Sequence, residues 1–359
     1  MMLARAMRPL AAIALAGVIV ALVLGLLGTS PRVVIGALAD GAFGNWIATV
    51  DTLVKATPLV FCGVAVAIAF EGSLWNIGAD GQLMAGALAA GALGPATAGW
   101  PPPVAMVALF AVGAAGGGCW GALAGWLRAR RDVSEVISTI MLNFVALQML
   151  SWAVHGPLME PSHAFPQSAP LAPAAELTLY FPPSRLNSGM LLAVSLAVGC
   201  YFLLFHTAAG FELRAMGRNR RAAVYAGLPV AWLTIWTMTM SGAIAGLGGA
   251  VQVAAITHRL YEKLSPGWGY EAIAVALVAR LNPLAIVPAA VLFGALDNGA
   301  QAMQRSAGIS PVLVQVIEAL VIMILLAADS GASRRLRLAL ATSRLAGRIA
   351  TTPAAGSDA

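Results

Sequence analysis

Long apolar runs set the limits on what this chain can become. Eight fall at roughly 10–28, 54–70, 82–99, 104–126, 136–153, 189–205, 232–252 and 311–328, and a ninth region, 271–303, is broken at Arg280-Leu281-Asn282-Pro283. A helix needs about 20 apolar residues to cross the ~30 Å hydrocarbon core of a bilayer. The runs are continuous rather than alternating segments of about 10 residues, which excludes a membrane barrel. Charge excludes a soluble chain: 10% of the 359 residues are charged and 60% are hydrophobic, against about 25% charged in a soluble domain. The expected fold is all-α, a polytopic helical membrane protein with about 8–10 transmembrane segments and a re-entrant or broken-helix region.

Nineteen arginines and two lysines give a net charge of +6. They gather at the ends of apolar runs and not on one face, which speaks for topology and against nucleic acid as a partner. With a cytoplasmic N-terminus, Arg5 and Arg8, Arg128 to Arg131, Arg214 to Arg221 and Arg334 to Arg348 place fourteen of the 21 basic residues inside. Both termini are then cytoplasmic: a short segment 1–9, a membrane domain 10–328 and a tail 329–359. No small-x-small site follows the first run, which reads as an uncleaved span. Parity leaves the chain outside after residue 252 and requires an even number of crossings over 271–303, as a re-entrant hairpin or as two spans. Asn282-Pro283 suits the turn, because proline ends a helix before it.

Three polar interruptions stand out. The stretch 71–82 carries Glu71, Asn76, Asp80, Gln82 and three glycines amid apolar sequence. It reads either as backbone lining a pathway at membrane depth or as a short cytoplasmic turn in which Asp80 caps a helix. The second, 266–271 (PGWGYE), sits in the opposite half of the chain, and paired broken segments point to a transport site. Trp268 and Tyr270 equally fit an interfacial belt. The third is the cytoplasmic loop 206–231, whose small residues at 215, 222, 223 and 226 suit close approach to another protein, rimmed by arginines. A positive-inside anchor without a partner reads as well from composition.

Gly113, Gly117, Gly121 and Gly125 form a small-residue stripe for helix packing. His155 and His163 match no zinc spacing, and Cys62, Cys119 and Cys200 lie in apolar runs, so no metal or redox site is expected. Glu318, in the middle of the last run, must face protein or water, with Asp297 and Arg280 as candidate partners. Neither lysine follows a glycine, so no Walker A loop exists, and no catalytic constellation appears. Transport is the natural class, driven by an ion gradient or by a separate ATPase; an ion-coupled secondary transporter using Glu318 is the alternative.

Several stretches, in order, resemble one family. They are 75–82 (WNIGADGQ), 135–143 (EVISTIMLN), 210–217 (GFELRAMG) with Ala222, Ala223 and Gly227, 241–249 (SGAIAGLGG), and 272–277 (AIAVAL) with Asn282-Pro283. The chain is similar to ABC importer permeases of the branched-chain amino acid, ribose and nucleoside group, most of all to the nucleoside branch that works with basic-membrane-protein-type binding lipoproteins. Trp75 stands where the family usually has phenylalanine, and Asp80 where glutamate is common. The resemblance implies a non-enzymatic permease in the bacterial inner membrane, moving nucleosides or a related small polar solute by alternating access. It implies two cytoplasmic ATP-binding subunits carrying ATP and magnesium, a second permease subunit and an external substrate-binding lipoprotein, with no cofactor or metal on this chain. It also implies that Glu212, Arg214, Ala215, Gly217, Ala222, Ala223 and Gly227 couple to the ATPase, while Asn76, Asp80, Gln82, Asn143 and Glu318 line the substrate pathway.

Overall fold

The computed structural model describes residues 31–307 apart from 181 and 183, with a few positions between 312 and 319. Residues 35–311 form one compact unit, while 1–34 and 312–359 are grouped in a second. The run 10–28, nearly all of 311–328, Glu318 and the tail lie outside the described residues.

Helices build the described unit: α1 (Pro31–Phe43), α2 (Trp46–Glu71), α3 (Ala79–Leu93), α4 (Pro102–Arg131), α5 (Glu135–His155), α6 (Gly189–His206), α7 (Ala208–Arg218), α8 (Arg220–Tyr225), α9 (Val230–Gln252), α10 (Trp268–Val278) and α11 (Pro283–Ala307). Among the described residues six elements are long and apolar enough to cross a membrane: α2, α4, α5, α6, α9 with its continuation to Thr257, and α11. Starts follow local chemistry. Asn45 caps α2 by accepting the Ala48 N–H at 2.8 Å, and Pro102 opens α4, where a missing N–H costs nothing.

Two helices depart from the apolar runs. The run 82–99 does not form one spanning helix: α3 has 15 residues, about 22 Å long. Gly94 and Pro95 turn its end into a single 3-10 turn. The region 271–303 becomes two unequal arms, α10 with 11 residues and α11 with 25. Between them Arg280 and Leu281 both hold left-handed backbone, φ 52 and 60, a strained pair for residues with side chains. Asn282 then accepts the Leu284 N–H at 3.0 Å and caps α11. Gly63 packs on Ile286, Gly294 on Ala56, and Asn298 bonds Thr52, so α11 runs antiparallel to α2. Of the two arms, α11 is long and apolar enough to cross a membrane, whereas α10 is a shorter apolar helix.

The packing centre is α9, which meets α2, α3 and α4 through glycines on different faces. A Cβ at Gly117 would overlap the Gly242 carbonyl, one at Gly121 the Met238 carbonyl, and one at Gly249 the Leu83 carbonyl of α3. The glycine stripe of α4 is therefore consumed inside the chain, where backbones approach in the small-xxx-small manner. At one end of the bundle the tips of α2 and α4, the start of α5, and α7–α8 gather with their arginines. The opposite end is covered by the irregular segment 156–188, pinned by Leu171 N–H to His258 O (2.8 Å), Leu177 N–H to Ala254 O (2.8 Å) and Arg259 to Glu160 (3.5 Å).

Candidate functional site

Two helices begin deep inside the bundle, and their beginnings meet. Residues 72–78 leave the end of α2 without regular structure and start α3. The chain after α9 ends on a π-turn, Val253–Thr257, and then re-enters beside α3. Leu260 packs at Gly91, and Ser265 reaches Asp80, about three turns deeper. There α10 begins, with Gly269 so close to Asp80 that a Cβ would overlap its backbone.

Interrupted helices expose backbone donors that the bilayer cannot satisfy, and side chains from α3, α5 and the two irregular segments do so here. Asp80 Oδ1 accepts from Ser265 Oγ (2.6 Å) and from the Gly269 N–H (3.0 Å), placing a carboxylate at the positive N-terminus of α10. Ser265 in turn accepts from the N–H groups of Gly267 and Trp268. Asn76 donates to Gln82 Oε1 (2.9 Å) and Ser241 Oγ (2.8 Å) and accepts from the Gly78 N–H. Ser241 donates to the Ala65 carbonyl, tying α9 to α2. Asn143 accepts from the Gly81 N–H and donates to Ile77 O and to Tyr270 Oη, both at 2.9 Å.

The structure thus gathers Asn76, Asp80, Gln82 and Asn143, all expected from the sequence. Each is buried and hydrogen-bonded within the chain, so they hold the broken elements together. Asp80 does cap a helix, as one reading of 71–82 expected, but that helix is α10, from the other half of the molecule. Tyr270 joins this network through Asn143. Sequence reasoning missed Ser241 and Ser265: Ser241 is one of several hydroxyls on α9, Ser265 sits beside a proline and a glycine, and neither stands out until its partner is known. Asp297 pairs with Lys55 at 2.8 Å, while Glu318 lies outside the described residues. Among the described residues no group of three His, Cys, Asp or Glu could hold a metal.

The loop 206–231 folds into α7 and α8. Thr207 caps α7 through the Gly210 N–H, and Asn219 caps α8 through the Ala222 N–H. Leu213 and Met216 are buried. Gly217 lies against the end of α2, where a Cβ would overlap the Glu71 carbonyl, and Ser73 Oγ donates to Gly217 O at 2.6 Å. Arg214 stacks over Phe205, 5.0 Å from its ring centre. Ala223 corrects the small-residue expectation: it faces inward against Met216, Val230 and Leu233, because it fills the angle between α8 and α9. Ala222, Ala226 and Gly227 are exposed, yet the outward face is made by larger side chains, Phe211, Val224 and Tyr225, the last 92% exposed.

Residues 48–327 match the family described as the branched-chain amino acid transport system permease component. The chain belongs to this family. The guanosine ABC transporter permease NupP of Bacillus subtilis is 36% identical over 88% of this chain and 91% of its own length. The glucose ABC transporter permease TsgB13 of Haloferax volcanii is 32% identical over 98% and 93%. The nucleoside ABC transporter permease NupB of Lactococcus lactis is 29% identical over 88% of both. This permease is accordingly a multi-pass membrane component of an ABC transporter and not an enzyme, with ATP hydrolysis on a separate subunit. The ion-coupled alternative falls with that assignment.

Proposed function

We propose that this permease imports nucleosides, or a related small polar solute, across a bacterial plasma membrane, driven by ATP and magnesium held on two cytoplasmic ATP-binding subunits. A second, homologous permease subunit and an external binding lipoprotein complete the assembly. The carrying observation is the continuity from α7–α8 to the buried network. Tyr225, Val224, Phe211, Arg220 and Arg221 are all exposed on α7 and α8, and Gly217 and Ser73 join α7 to the end of α2. From Ser73 the irregular segment leads within three residues to Asn76, and on to Asp80 and α10.

Closure of the ATP-binding pair displaces α7 and α8, and the short rigid link carries that displacement to the junction of α3 and α10. A junction held by a few directional bonds has two discrete packings, and solute passes as it switches between them. Asn76, Asp80, Gln82 and Asn143 frame the path, and Glu212, Arg214, Ala215, Gly217, Ala222, Ala223 and Gly227 shape the docking segment. The relatives named for guanosine and nucleosides support the solute class. Glu212→Arg, or deletion of 218–223, abolishes guanosine uptake while the chain still inserts and accumulates. Uptake unchanged in both would overturn the docking assignment.

A further inference from the structure

Helix α5 has two opposed faces. Asn143, Ala146 and Leu150 are buried, and the helix packs on α3 and α4. Its other side bears two adjacent rows at i+4 spacing, Met141, Val145 and Met149 beside Phe144, Gln148 and Trp152, and all six are exposed. Five of them, all but Met141, line a hollow of about 390 Å³. Ridges and grooves made by such rows are what one helix packs into another, yet Trp152 is 67% and Phe144 57% exposed.

Gln148 makes this face unusual. It stands seven residues from the end of α5, about 10 Å along a helix about 31 Å long, and that helix length just matches the ~30 Å hydrocarbon core. Among the described residues no hydrogen bond engages its side chain. An amide left bare in hydrocarbon is costly. The exposed side of α4, with Val104, Val107 and Leu123, suits lipid; this side of α5 needs a polar partner at membrane depth. Of the partners in the proposed assembly, the ATP-binding subunits and the binding lipoprotein lie outside the hydrocarbon. The second permease subunit brings helices into it. The run 10–28 of this chain has no polar side chain to offer.

Resting on the transport reading above, we propose that α5 forms the seam with the second permease subunit, its two rows seated against a like helix and Gln148 hydrogen-bonded across the contact. Subunits related by a two-fold present the same rows to each other. An amide is both donor and acceptor, so Gln148 and its counterpart satisfy one another. The inner face of the same helix carries Asn143, which holds Ile77 and Tyr270. The seam therefore lies one helix away from the junction of α3 and α10, and a shift of one permease against the other reaches that junction directly.

Site-specific photocrosslinking tests this in the assembled transporter. p-Benzoylphenylalanine is placed at position 144 or 152 of the full chain, with position 198 on the exposed side of α6 as the control, and membranes of the source organism are irradiated. Expected at 144 and 152, and not at 198, is an adduct of about two chains whose second component mass spectrometry identifies as a permease of this family, a second copy or a homologous subunit. An adduct with 311–328 of the same chain, with a protein outside the family, with lipid alone, or equally at 198, overturns the seam. Gln148→Leu lowers the yield at 144 on the order of 3–10-fold, as for loss of an interhelical hydrogen bond; an unchanged yield removes Gln148 from the contact. Adding Glu212→Arg leaves the adduct intact, so a failure of coupling is read separately. Guanosine uptake that persists without any permease adduct leaves the transport reading standing and overturns the seam alone.

Discussion

Asp80 shows how much one side chain decides. It is the single acid in α3, and its Oδ1 satisfies two donors of a segment 185 or more residues away. Asp80→Ala leaves the Ser265 hydroxyl and the Gly269 N–H without that acceptor, at a cost on the order of 1–3 kcal/mol. We expect a lower unfolding temperature of the purified complex and loss of uptake, with Asp80→Glu milder than Asp80→Ala. Glu160 carries a second residue-scale prediction, on the covered end of the bundle. Hydrogen bonds from Ser162 and Gln167, with Arg259 nearby, hold its carboxyl below the usual carboxylate range. A depressed folded-state pKa contributes stability above the unfolded value and loses it as pH falls through the folded one. Proteolysis of the 156–188 segment should therefore rise only below the ordinary carboxylate range, and Glu160→Gln should remove that acid-dependent step.

Among the elements, α4 and α9 show what glycine placement does. Gly117 and Gly199 both sit in spanning helices, but a Cβ at Gly117 overlaps the Gly242 carbonyl, whereas nothing lies within 4 Å of one at Gly199. Gly117→Leu must push α9 away from α4, an overpacking effect of at least ~1–3 kcal/mol, and should abolish accumulation of folded chain. Gly199→Leu should insert and transport normally; equal damage from both would argue against the α4–α9 contact. Helix α7 follows the same logic. Gly217→Val separates α7 from Glu71 and from Ser73, so uptake should fall although Phe211, Val224 and Tyr225 stay exposed. Co-purification of the ATP-binding subunit with the variant checks that docking survives while transmission fails.

At the largest scale, the unit 35–311 is a bundle centred on α9 into which two broken elements, one from each half, converge. That arrangement sets α7–α8 at one end and joins them through residues 72–80 to the buried network where α3 and α10 begin. A tagged chain purified in mild detergent should bring down an ATP-binding subunit in stoichiometric amount. Deletion of 218–223 should lose that subunit, whereas Asp297→Asn should retain it. Retention in both would move the docking surface elsewhere.

Much of this was legible in the sequence. Continuous apolar runs dictate spanning helices, because hydrocarbon leaves backbone groups no other partner, and the arginine clusters mark one end of the bundle. The Gly113–Gly125 stripe announced close helix packing, and the broken segments 71–82 and 266–271 announced the junction, each being too polar or too glycine-rich for a plain span. What tertiary structure decided was pairing. Nothing local says that Asp80 caps α10 and not α3, that Tyr270 accepts from Asn143, that Asp297 meets Lys55, or that Ala223 faces inward. A hydrogen bond or ion pair between distant residues depends on where two helices cross, and that is set by side-chain and glycine packing along α2, α9 and α11. The sequence alone fixed which residues had to be buried or satisfied; the fold chose their partners, because satisfaction inside a membrane is a property of the assembled bundle.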